Sequence, residues 1–121
     1  MNISSSVLEN TCSSLLQRNV NFIIKNKTIK RGKIELFVQR NFYLVFHILT
    51  ENNKKEKFEI PIPFSFENHE EDGLVYFDYR FKTISKYYPE SLDVLQKTFD
   101  KYKKNNKFGD SILVIETIKH E

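Results

Sequence analysis

Three groups of side chains have types and spacings that can do chemistry. The first is basic. Arg18–Lys33 carries Arg18, Lys25, Lys27, Lys30, Arg31 and Lys33 and no acid. Ammonium and guanidinium groups at that density can neutralise phosphates or meet an acidic partner, and we single out Lys25, Lys27, Lys30, Arg31 and Lys33. The second is acidic: Glu67-Asn68-His69-Glu70-Glu71-Asp72 holds Glu67, Glu70, Glu71 and Asp72 with no lysine or arginine between them. Such a loop is a solvated turn or a contact surface that steers a basic partner. The third is aromatic. Strand alternation sends Phe37, Tyr43 and Tyr76 to the side opposite the main core. There they are either covered by the N-terminal helix or form an exposed platform for a partner or for stacked bases.

No motif for catalysis accompanies them. The glycines, Gly32, Gly73 and Gly109, lie far apart, which rules out a Walker loop or a dinucleotide fingerprint. His47, His69 and His120 share no ligand spacing and the lone Cys12 is remote from them, so no structural zinc site is expected. The acidic loop lacks the alternating oxygen ligands and central glycine of an EF-hand. Asp78 and Glu116 are the least implausible carboxylate pair for hydrolysis. We therefore expect a protein that is not an enzyme, without catalytic residues, cofactor or metal.

The 121 residues suit a single domain, 1–121, large enough to bury a core. There is no Ala or Trp, but 15 Lys, 12 Ile, 11 Asn and 11 Phe. Those favoured residues have AT-rich codons, so the skew reports on an AT-rich genome, such as that of a phage or mobile element. A net charge of +3 gives a weak overall field, and local patches matter more. A single cysteine excludes an intramolecular disulfide and suits a reducing cytosol. No signal-peptide pattern or membrane-spanning apolar run is apparent, and the expected location is cytoplasmic (the host cytoplasm if phage-encoded).

The chain's periodicities define the elements that must position these groups. Ser6-Val7-Leu8-Glu9 has a capping-box arrangement, opening a helix that places Val7, Leu8, Cys12, Leu15 and Leu16 near one face. Val20–Ile29 and Ile34–Gln39 alternate as strands, with a turn at Lys30-Arg31-Gly32-Lys33 between them. Ile34, Leu36 and Val38 are expected in the core. Phe42–Leu49 is apolar on both faces and reads as a central strand. Glu56–Glu67 alternates throughout, with Pro61 and Pro63 pointing out and marking an edge. Leu74–Ile84 is the next strand. Pro89, Leu92, Leu95, Phe99 and Tyr102 define a second helix, and Ser111–Lys119 a last strand. The expected fold class is α+β: a bent antiparallel sheet of five to six strands, an N-terminal helix and a second helix before the last strand. Phe46, Phe58, Ile60, Ile62, Phe77, Leu95 and Phe99 should be buried.

These features point to a small binding protein that docks on a larger protein or ribonucleoprotein. An inhibitor of a host defence system carried by a phage, such as an anti-CRISPR protein, fits the profile. The alternative is a nucleic-acid-binding module using Arg18–Lys33. Oligomeric state is left open.

Overall fold

A computed structural model describes residues 5–41, 43–80 and 111–119. Its elements in chain order are helix α1 (Ser5–Ser13), strands β1 (Asn19–Ile24), β2 (Lys27–Gln39), β3 (Tyr43–Leu49), β4 (Lys55–Pro61) and β5 (Ser65–His69), a 3-10 turn (Glu70–Asp72), then β6 (Leu74–Asp78) and β7 (Ile112–Thr117). The strands form one sheet in the order β4-β3-β2-β1-β7-β6-β5, and every pairing is antiparallel.

That order forces the sheet to roll. β4 and β5 stand at its opposite ends, yet only residues 62–64 join them. Seven strands laid flat would hold their outer members about 29 Å apart. The connection reaches at most about 14 Å. The two ends therefore come together, helped by the twist natural to strands. Two contacts confirm it. The rings of Phe22 on β1 and Phe58 on β4 lie 4.7 Å apart, although β2 and β3 intervene in the sheet. The Tyr79 hydroxyl, just past β6, donates 2.6 Å to the Pro61 carbonyl at the end of β4.

The rolled interior holds one core, in which Val20, Phe22, Ile34, Leu44, Phe46, Ile48, Phe58, Ile60, Val75, Phe77, Leu113 and Ile115 are buried. Leu8 and Cys12 of α1 and Leu15 beyond it join the same cluster, with Leu16 packed against it, whereas Val7 faces away and is 51% exposed. The helix thus packs against the inner face of the sheet and does not serve as cover for the outer one. Burial pushes the Cys12 thiol up to about 12, which leaves almost no thiolate at neutral pH. An aromatic disulfide reagent should modify Cys12 only on denaturation. Rapid reaction in the native protein would show that α1 is not seated as described.

The α+β expectation is corrected. The described residues are mostly β, with seven strands in place of five or six, one α-helix and one 3-10 turn. The second helix, with Pro89, Leu95 and Phe99, falls outside the described residues, as does the end of the Leu74–Ile84 strand. The extra strand comes from dividing Glu56–Glu67. Pro61 and Pro63 cannot donate to a ladder, and the chain breaks from β4 to β5 between residues 62 and 64. Both prolines are buried in that corner, where alternation had placed them outward. The Tyr79→Phe variant should lose about 1–3 kcal/mol by leaving the Pro61 carbonyl without its buried donor, measurable as a lower urea midpoint at unchanged m-value.

Three further expectations give way. The middle strand is β1, and β3 lies next to the end strand β4; its outer-face Val45 is nevertheless buried. The β1–β2 turn is Lys25-Asn26, with φ of 51° and 64°, the left-handed pair that a two-residue hairpin uses. Residues 30–33 run inside β2. Two bulges then reset the faces. Phe22 pairs with Lys30 but Ile23 with Thr28, leaving Ile29 extra. Ile34 pairs with Ile48 but Leu36 with His47, leaving Glu35 extra. A bulge sharpens bending and shifts which residues share a face. Ile34 stays in the core, Leu36 is 49% exposed, and Phe37 turns inward.

Candidate interaction surfaces

The long, bent β2 carries most of the basic residues and distributes them over both of its faces. Lys25 and Lys27 are exposed at the β1–β2 hairpin end. Lys30 is paired with inward-facing Phe22, and Arg31 with Asn21 on the outer face. Lys30 bridges to Glu56 of β4 in a half-buried ion pair. The Lys30 hydrogen bond and charge hold the Glu56 carboxyl below its usual range. Arg31 Nε lies 3.2 Å from Glu51 Oε1. Lys33 is half-buried opposite Leu49. Two of the five cations therefore have carboxylate partners within the fold. Ion pairs near the surface add little to stability, but each carboxylate cancels part of the field a phosphate would feel.

The acids are arranged differently. β5 and β6 form a hairpin whose tip is the 3-10 turn, closed by the Gly73 amide donating to the Glu70 carbonyl at 3.1 Å. Gly73 has φ +68°, a left-handed conformation that glycine adopts without strain. Glu67, Glu70, Glu71 and Asp72 are all exposed at this end. Asn68 Nδ2 donates to Glu70 Oε1 at 3.4 Å, and His69 Nε2 lies 3.9 Å from Glu67 Oε2. Among the described residues no lysine or arginine pairs with any of the four acids. Among the same residues no three His, Cys, Asp or Glu side chains are grouped to hold a metal ion.

The three aromatic residues do not share a surface. Phe37 packs against the core, its ring 5.2 Å from Phe46. Tyr43 is half-buried on β3 opposite Pro61. Tyr76 is half-buried on β6, paired with Glu67 on one side and Val114 on the other, with the His69 ring edge-on at 5.1 Å. β2, β1 and β7 separate Tyr43 from Tyr76 in the sheet. The carboxylates considered for hydrolysis are separated too. Asp78 pairs with Ile112 and Glu116 with Leu74, about 13 Å apart along the ladder. Asp78 is engaged by the Arg80 guanidinium at 3.0 and 3.1 Å, which holds its carboxyl below the ordinary range. Glu116 accepts from Asn21 at 3.1 Å.

One feature escaped the sequence reading: β5 is a short terminal strand with an acidic end. The prolines signalled an interruption, but nothing local told that the chain beyond them crosses to the other end of the sheet. Among the described residues no helix is long and apolar enough to cross a membrane. In comparisons with known proteins, no family model matches this chain, and no curated protein or solved structure matches it.

Proposed function

We propose that this chain is a non-enzymatic binding protein that docks on a larger protein or ribonucleoprotein, with the acidic β5–β6 hairpin meeting a basic surface of the partner. The observation that carries the reading is the contrast between the two charged groups. Glu67, Glu70, Glu71 and Asp72 are exposed together at one hairpin end without a lysine or arginine partner among the described residues. Lys30 and Arg31 instead face Glu56 and Glu51. Arg18 and Lys119 lie near the tip without pairing with its carboxylates, and an acidic tip left free to pair steers encounter and selects a basic partner. With the AT-skewed composition, the version we carry forward is a protein from a phage or mobile element that inhibits a host defence complex, as anti-CRISPR proteins do. RNA-guided effector complexes hold nucleic acid in positively charged channels, a surface that an acidic hairpin suits.

Affinity capture from the source cell tests this when the protein is compared with its Glu67→Lys/Glu70→Lys/Glu71→Lys/Asp72→Lys form. A stoichiometric protein partner is expected with the first and at least tenfold less with the second. Recovery of nucleic acid alone would contradict the reading. Nucleic-acid binding through Lys25, Lys27 and the cations of β2 is the second reading, favoured by the exposed hairpin lysines. It requires log K for a single-stranded oligonucleotide to fall with log salt at about −0.7 per phosphate contact, and reversal of Lys25 and Lys27 to flatten that slope.

A further inference from the structure

We infer that the outer edge of β5 receives an extended basic segment of the partner as an added antiparallel strand, with alternating apolar and cationic residues. This rests on the acidic-hairpin reading and names the form of the partner's contact. β5 ends the sheet order and pairs only with β6 among the described residues. Glu67, Asn68 and His69 along it are exposed, and among the described residues no second strand occupies that stretch of the edge. The other end strand is a poor receptor, because β4 closes on Pro61 with Pro63 beyond it, and neither supplies a backbone donor.

The faces of β5 specify the occupant. Phe66 pairs with the fully buried Phe77 and makes an edge-on ring contact with it at 6.3 Å, so Phe66 lies on the inner face. Glu67 pairs with Tyr76 on the outer face, and His69 is beside it. An added strand would set an apolar side chain next to Phe66 and a cation next to Glu67. Its next cations would fall toward Glu70, Glu71 and Asp72. Cross-strand neighbours of this kind favour pairing, and like charges directly opposite disfavour it. A second copy of this chain is therefore the wrong occupant, since β5 against β5 brings acids to acids. Main-chain hydrogen bonds supply affinity in strand addition and alternate side chains supply specificity.

The test uses a fluorescent nonapeptide of alternating lysine and valine, and its counterpart methylated at every backbone amide nitrogen. Both carry the same charge, but the second has no backbone donors. Anisotropy at low salt should show the parent peptide binding at least tenfold more tightly, with amide resonances of residues 65–69 shifting on titration. Equal binding of the two peptides, or no binding of the parent, overturns strand addition; equal binding leaves the acidic-hairpin reading standing. The Glu70→Lys/Glu71→Lys/Asp72→Lys protein separates the two claims. It should weaken both peptides at least tenfold; unchanged parent affinity, with the N-methylated peptide still excluded, would sink the acidic contact and retain the strand addition.

Discussion

Gly32→Ala should be among the most damaging single substitutions in the protein, lowering stability by about 3 kcal/mol and Tm by roughly 10 °C. Gly32 is a buried residue in the middle of β2, paired with Val20. A Cβ there would stand 2.3 Å from Ile48 Cγ2 and 2.6 Å from the Leu49 carbonyl oxygen. The side-chain methyl can turn aside only into a filled core, and the carbonyl belongs to the β3 backbone, so β2 and β3 would have to separate. A useful comparison is Gly73→Ala. There the nearest atom to an added Cβ is 3.5 Å away, and the cost comes from the positive φ alone, about 1 kcal/mol. Gly73→Asn should recover part of that loss because asparagine tolerates the left-handed region, whereas Gly32→Asn should be worse than Gly32→Ala. Urea denaturation of the four variants decides it. Near-neutral behaviour of Gly32→Ala would place residue 32 in a turn, away from β3.

Phe22→Ala should cost about 3–5 kcal/mol, and Phe46→Ala a similar amount. Both rings are fully buried. Phe22 lies 5.4 Å from Phe46 and 4.7 Å from Phe58, so it fills the interior where the rolled sheet faces itself. Removing it leaves a cavity bounded by strands from both halves of the sheet, which cannot collapse without flattening the roll. Leu36→Ala provides the contrast, with an expected change within about 0.5 kcal/mol, because the bulge at Glu35 turns Leu36 out. Losses of equal size at Leu36 and Phe22 would mean that β2 runs without that bulge.

Much of the strand content can be read from alternation. Phe22 and Ile24, Phe58 and Ile60, Val75 and Phe77, and Leu113 and Ile115 are buried at the spacing of two that their sequence shows, because each of these short runs pairs without an inserted residue on its own strand. The errors fall where geometry departs from that period. Gly32 illustrates the ambiguity: a tight turn and a close approach of two strands both require a missing Cβ, and nothing in Lys30-Arg31-Gly32-Lys33 distinguishes them. The turn that does form, Lys25-Asn26, has no glycine. The bulge at Glu35 follows from bending a strand of 13 residues around a rolled sheet, a tertiary demand without a local marker. It exchanged the roles of Leu36 and Phe37 and removed Phe37 from the outer face. Among the charged groups, the contiguous acidic run remained together because one hairpin carries it. The basic run was divided because a strand alternates its sides, and its partners Glu51 and Glu56 arrive from the β3–β4 connection and from β4.

Hydrogen–deuterium exchange of the protein, free and with its captured partner, tests most directly which surface docks. New protection is expected across residues 65–74, the β5 edge and its acidic tip, with the β1–β2 hairpin at residues 24–28 exchanging as in the free protein. Protection confined to residues 19–33, with 65–74 unchanged, would contradict it.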